Sequence, residues 1–274
     1  LQNKFLRNTF DTQSRMHPLP ISAIVICKNE AKNIGRCLAS LAWANEVVVV
    51  DSGSTDGTLD IARDFANVRL ISSEWLGYSR TKQLAVAHAR NNWVLWVDAD
   101  EAVTPALMQA LQAWQPASDV SAADVPRRTY FMGTWVRHTG WYPGRVARLF
   151  HKERCTFNDN ILHEGIVVNQ GVLTHLDADL EHHSYQTLYQ YFDKMNAYGR
   201  AGALELQRKN KPFGLHLLVL SPLAAFFKFY FLKAGFKDGA VGLIISVGSA
   251  FSHFIKYVNY FYLLKEKNDR QPAP

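Results

Sequence analysis

Residues 93–101 read WVLWVDADE. The apolar run Trp93 to Val97 ends in three acids, Asp98, Asp100 and Glu101. Carboxylates two residues apart at a turn can both reach one hard divalent cation. Mg²⁺ and Mn²⁺ favour oxygen ligands and keep places for substrate phosphates. A cation held there would neutralise the charge that develops on a diphosphate leaving group. Asp98 and Asp100 are therefore a candidate Mg²⁺ or Mn²⁺ site. The competing assignment is a solvated loop whose acid caps the next helix. A D-x-D tripeptide alone does not choose between the two; its place in the fold does.

That place follows from the elements around it. ISAIVIC, from Ile21, is a β-branched run of the kind that makes a buried strand. Ile34, Cys37, Leu38, Leu41 and Ala42 then recur at helical spacing. EVVVVD closes a second strand on Asp51, and the Gly- and Ser-rich turn SGSTDGT leads into a helix through Leu59, Ala62 and Phe65. VRLIS, SRTKQLAVAHAR and WVLWVD follow as strand, helix and strand. Thr104-Pro105 supplies an N-cap and a favourable first helical residue, ahead of Leu107, Leu111 and Trp114. Four strand–helix alternations predict an α/β fold: a mostly parallel sheet with helices on both faces. Ligands of such sheets bind beyond the carboxyl ends of the strands, where Asp51 and Asp98 both fall.

Beyond Pro116 the rhythm breaks. DVPRRTYFMGTWVRHTGWYPGRVARLF predicts short strands and loops, an antiparallel extension. HLDADLEHHS alternates, with Leu176, Ala178, Leu180 and His182 on one face and His183 on the other. A helix is expected from Thr187 to about Lys209, with Leu188, Tyr191, Phe192, Met195 and Tyr198 in one stripe. Pro212 marks a boundary. The tail is apolar and aromatic, studded with Lys and Gly. A spanning helix needs roughly 20 apolar residues. One tail run is broken by His216 and Pro222, and the other, Gly239 to Ile255, reads as too short. The tail is expected to form amphipathic helices lying on a membrane, with Lys228, Lys233, Lys237 and Lys256 facing headgroups. The alternative is a helical subdomain packed on the rest of the chain or on a second copy. The expected organisation is an N-terminal extension over 1–19, a catalytic domain over 20–210 and a membrane-associating helical region over 211–274.

Bulk properties narrow the partners. The net charge of +6 favours anions: phosphorylated substrates, acidic membranes or nucleic acid. Cys27, Cys37 and Cys155 are odd in number and far apart, which argues against a disulfide scaffold or a zinc knuckle and for a reducing compartment. The first twenty residues lack the apolar core of a signal peptide.

The segments AIVICKNEAKNIGRCLASL, EVVVVDSGSTDGT, YSRTKQLAVAHA and WVLWVDADE resemble glycosyltransferase family 2, the inverting enzymes of GT-A (Rossmann-like) fold. GWYPGRVARLF, LHEGI and HHSYQTLYQYFDKMNAY are similar to its lipopolysaccharide-core branch, which includes β-1,4-glucosyltransferases acting on inner-core heptose. The resemblance covers about residues 20 to 260. It implies that Asn29 and Glu30 lie beside the nucleotide, that Asp51 hydrogen-bonds the uracil, and that Arg80 or Lys82 lies near base or phosphate. It further implies that Asp98 contacts the ribose and Asp100 the metal.

An inverting transfer also needs a carboxylate to deprotonate the acceptor hydroxyl. Glu164, between Ile161-Leu162 and Ile166-Val167, is the candidate base, with Asp159 as runner-up. His182 fits the branch pattern His-x-Ser-Tyr as a third metal or diphosphate contact; its strand parity equally suits a core histidine. Arg145 and Arg148 could clamp a diphosphate or a phosphorylated acceptor, or be ordinary surface arginines. Asp51, Asn29 and Glu30 could instead be turn and capping residues, and Glu164 a surface loop acid.

The leading expectation is a metal-dependent, inverting transfer of a hexose, with glucose as first choice, from a UDP-sugar to a heptose of the lipopolysaccharide inner core. Its partners would be the UDP-sugar, a lipid-anchored oligosaccharide acceptor and the membrane surface. Its place would be the cytoplasmic face of the bacterial inner membrane, as a peripheral protein. A second reading changes the acceptor to a capsular or polyprenyl-linked sugar. A third is a non-catalytic basic protein that binds membrane or nucleic acid. It leaves Asp51, Asp98, Asp100 and Glu164 without a purpose, so nucleic acid is not expected as a partner.

Overall fold

The structure is a computed structural model that describes residues 20–158, 165–185 and 187–269. The chain runs β1 (Ile21–Cys27), α1 (Ile34–Ser40), β2 (Glu46–Asp51), α2 (Thr58–Arg63), β3 (Val68–Ser72), α3 (Tyr78–His88) and β4 (Trp93–Trp96). It continues through β5 (Glu101–Val103), α4 (Pro105–Gln112), β6 (Val120–Phe131), β7 (Thr134–Trp135), β8 (Gly144–His151), β9 (Cys155–Phe157), β10 (Ile166–Val168), β11 (Val172–His175) and β12 (Leu180–Tyr185). It ends in α5 (Leu188–Arg208), α6 (Leu217–Phe227) and α7 (Gly239–Asp269). Two compact units result. The first takes the chain up to Ala99, Val103–Asp124 and Ala147–Ala178; the second takes Asp100–Ala102, Val125–Val146 and Asp179 onward.

The first unit is the expected α/β fold. β1 pairs in parallel with β2 and β4, and β2 with β3. All of β1 and β2 is buried, as continuous β-branched runs should be when both faces are covered. Ile24, Val48, Val94 and Phe150 meet Ala85 and Val86 of α3 in the core. β8 adds antiparallel to β4, with Val94 opposite Phe150. Thr104 caps α4, its hydroxyl accepting the Leu107 N–H at 3.2 Å, with Pro105 in the first turn.

Two expectations for the middle of the chain are corrected. Val120 to Phe131 forms one twelve-residue strand, not short pieces. The alternating stretch 176–183 is not one strand: β11 ends at His175 and β12 starts at Leu180, and both run parallel to β6. Alternation reports facing, not continuity, and the Leu176 N–H turns aside to the Asp124 carbonyl at 2.9 Å.

The second unit joins β12 and β7 to the later part of β6 and sets α5 against α7. The helix expected from Thr187 is present, and the structure shows Thr187 as its cap, accepting the Gln190 N–H at 3.2 Å. Tyr191, Met195, Gly199 and Ala203, four residues apart, form its buried stripe. Tyr191 packs edge-on to Phe131 with centroids 5.0 Å apart and donates its hydroxyl to the Ile245 carbonyl at 3.1 Å. The approach is close because α7 offers Gly248 there: a Cβ at that position would overlap the Tyr191 ring.

The tail also departs from expectation. α7 continues past Ile255 to give 31 residues, and Gly235–Lys267 is long and apolar enough, by length and composition, to cross a membrane. Lys228, Lys233 and Lys237 are exposed as expected. Lys256 is half-buried over Gly202 of α5, where burial lowers its ammonium pKa. α6 exposes Val219, Leu220, Leu223 and Phe227.

Filling the gap at Gly248 tests the helix contact. Gly248→Val should destabilise the protein by about 1–3 kcal/mol through overpacking, read as a lower urea midpoint at unchanged slope.

Candidate functional site

The carboxyl ends of β1 and β2 are laced together by side chains. Asp51 Oδ2 accepts the N–H groups of Gly53 and Ser54, each at 3.0 Å, which shapes the turn that follows. Its Oδ1 receives the Ser54 hydroxyl and the Cys27 thiol. Burial, reinforced by Asp51, pushes the Cys27 pKa far above the usual thiol range, so that group stays a neutral donor. Across the crevice, Asn29 adopts a left-handed backbone (φ 57°), which asparagine tolerates. Its N–H donates to Ser54 Oγ and its side-chain oxygen accepts the Thr55 N–H, both at 2.8 Å. The Glu30 N–H reaches Thr58 Oγ1 at 2.8 Å. The Thr58 hydroxyl in turn lowers the Asp56 pKa. Asn29, Glu30 and Asp51 are thus linked through their turns; the turn contacts weighed for them are present, whereas α1 and α2 have no side-chain cap.

Asp98 follows β4 and is held by three side chains from three elements. Arg148 of β8 donates from Nη2 to Oδ2 at 2.8 Å, and Lys82 Nζ of α3 lies 3.5 Å from Oδ1. Trp96 donates its indole N–H to Oδ1 at 2.8 Å. Both cations also stack on that indole, at 3.7 Å for Lys82 and 3.8 Å for Arg148. The side chains of Lys82 and Arg148 are only 1% and 3% exposed. Lys82, not Arg80, is the residue that reaches Asp98; Arg80 is exposed on α3. The hub, Trp96, was not among the sequence candidates. Its sequence signal is its place two residues ahead of Asp98, at the last position of β4.

Asp100 belongs to the second unit. Its Oδ2 lies 3.3 Å from His182 Nε2, and its carbonyl accepts the His183 N–H at 2.9 Å. His182 Nδ1 is 3.5 Å from Thr129 Oγ1. His182 therefore faces a carboxylate, as a ligand would, while His183 faces the other way. One carboxylate oxygen and one imidazole nitrogen converge. That donor set suits a borderline divalent cation such as Mn²⁺, with coordination places left for phosphate oxygens. Asp98 belongs to the first unit, where its carboxylate is bonded to Lys82 and Arg148. Among the described residues no three His, Cys, Asp or Glu side chains gather as a metal cage.

Arg148 is buried and donates to Asp98, and Arg145 is an exposed residue of β8. Glu164, His163 and Asp159 lie outside the described residues.

A model for glycosyl transferase family 2 matches residues 22–168. The lipopolysaccharide core biosynthesis glycosyltransferase LpsC of Rhizobium meliloti is 30% identical over 243 residues, covering 86% of this chain and 90% of that protein. An uncharacterized glycosyltransferase of Rickettsia felis is 29% identical over 267 residues, covering 90% of this chain and 92% of that protein. Among solved structures, S. aureus TarS 1–349 aligns with a TM-score of 0.46 at 16% identity over 93% of each chain.

The Asp98 cluster makes its own prediction. Arg148→Met should cost about 2–3 kcal/mol in urea unfolding, below the full penalty for a broken buried pair because Asp98 is part-exposed.

Proposed function

Since the chain belongs to glycosyl transferase family 2, we propose that it moves a hexose, glucose first among candidates, from a UDP-sugar to a heptose of the lipopolysaccharide inner core, with inversion. The observation that carries the reading is the convergence of Asp100 and His182 directly after the Asp98 cluster. A relative named for lipopolysaccharide core biosynthesis, matched over most of its length, supports the acceptor class.

In this reading Asn29, Glu30 and Asp51 form the wall for the uracil, and the turn contacts around Asp51 hold that wall in shape before the nucleotide arrives. Asp98 meets the ribose, while Lys82 and Arg148 put positive charge beside the phosphates. Asp100 and His182 hold a divalent cation, Mn²⁺ or Mg²⁺, which supplies charge neutralisation for the departing diphosphate. Glu164 takes the proton from the acceptor hydroxyl as it attacks the anomeric carbon from the side opposite UDP.

The acceptor is lipid-anchored, and α6 with the following turn meets its membrane. From Lys211 to Lys237 the chain has no acid, and the exposed apolar residues of α6 are followed by the exposed Lys228, Lys233 and Lys237. That pairing suits an anionic lipid surface, entered from one side on the cytoplasmic face of the inner membrane. α7, though long enough to span, is packed along α5 and α6, which favours a peripheral attachment.

Two measurements test these claims. Isothermal titration should show UDP binding that requires Mn²⁺ or Mg²⁺, and Asp100→Asn should weaken it by about 10-fold or more. UDP binding independent of both metal and Asp100 would refute the site. Flotation with phosphatidylglycerol vesicles should recover the protein, and Leu223→Asp with Phe227→Asp should reduce recovery about tenfold while leaving UDP affinity unchanged.

A further inference from the structure

Successive residues of a strand face opposite ways, so β6 and β12 carry a second surface behind Thr129 and His182. Its contacts are on that side alone. Tyr130 and His183 stack with centroids 4.7 Å apart and planes 3° from parallel, and the Tyr130 hydroxyl donates to Glu181 at 3.4 Å. Beside them stands Trp135 of β7. The guanidinium groups of Arg128 and Arg137 lie 4.6 and 4.3 Å from its ring centroid, and Tyr142 meets it edge-on at 5.5 Å.

This cluster is braced from behind. Asp179 accepts from Arg128 Nε at 3.0 Å and from the Tyr142 hydroxyl at 3.2 Å. Asp238, with its side chain 5% exposed, accepts the N–H groups of His138 at 2.8 Å and Arg137 at 3.4 Å, and bonds His138 Nδ1 at 2.8 Å. The backbone that presents Arg137 is therefore fixed.

Two donors of the cluster remain. Arg137 forms no ion pair among the described residues and lies exposed against the indole. The Trp135 Nε1 proton is buried without an acceptor. A guanidinium held over an aromatic ring keeps donors for a planar or tetrahedral oxyanion. Tryptophan and tyrosine rings beside it offer an apolar body with a polar tip, suited to the mixed surface of a sugar.

We propose that Arg128, Trp135, Arg137 and Tyr142 bind an anionic group, phosphate or carboxylate, carried on the acceptor saccharide. That the ligand is a saccharide rests on the glycosyl-transfer reading; that it is an anion rests on the cluster alone. The cluster selects acceptors by charge, on the side of the strands away from His182.

The test follows tryptophan indole resonances by ¹H–¹⁵N NMR on the full chain, with Trp135→Phe to assign its signal. Mannose 6-phosphate or glucuronate should shift the Trp135 signal saturably, and neutral mannose should not. Inorganic phosphate should bind at least about tenfold more weakly than the sugar phosphate, and Arg137→Gln should weaken the sugar phosphate about tenfold while leaving the other indole signals in place. Three results would overturn the proposal: no saturable shift with either anionic sugar, a shift that Arg137→Gln leaves intact, or inorganic phosphate binding as tightly as the sugar phosphate. UDP titration of the same samples keeps the two readings apart. Lost UDP binding counts against the transferase site, whereas a silent Trp135 counts against this one.

Discussion

Lys82 and Arg148 are charged side chains taken almost wholly out of water, and the first unit depends on what compensates them. Burying a charge is costly unless it is paired and hydrogen-bonded. Asp98 supplies the opposite charge and Trp96 the π face, so α3, β4 and β8 are tied at one point. The antiparallel strand β8 is thereby locked to the parallel sheet at the strand end where ligands of such sheets bind. The same bonds commit the Asp98 carboxylate.

Preorganisation recurs at the neighbouring strand ends. The turns after β1 and β2 hold each other through Asn29, Ser54, Thr55 and Thr58, and Asp51 closes its own turn. Polar side chains there satisfy backbone groups that no strand partner could reach. A binding wall built this way loses little conformational entropy when a ligand arrives. In the second unit the same economy is achieved by packing: Gly248 lets Tyr191 lie directly on α7, and the hydroxyl of that tyrosine finds a carbonyl.

β6 and β12 show how one pair of strands can serve two chemistries. Alternation sends Thr129 and His182 to one side, with Asp100, and Arg128, Tyr130, Glu181 and His183 to the other. The adjacent histidines His182 and His183 differ in surroundings for that reason. One faces a carboxylate in a candidate metal site; the other stacks on a tyrosine beside an arginine–tryptophan cluster.

By itself the sequence determined the α/β class, the order of the first strands and helices, the cap at Thr104, and the opposed facing of His182 and His183. These are local properties: side-chain period, β-branching and capping chemistry act over a few residues and survive without knowledge of partners. Which acid meets which cation was decided only in three dimensions. Asp98, Lys82 and Arg148 are far apart in the chain, and no short-range pattern says that two cations will claim the carboxylate expected to bind metal. The break between β11 and β12, and the length of α7, were likewise set by tertiary pairing. A strand persists only while a neighbour offers hydrogen bonds, and a helix with glycines and a histidine persists when another helix packs along it.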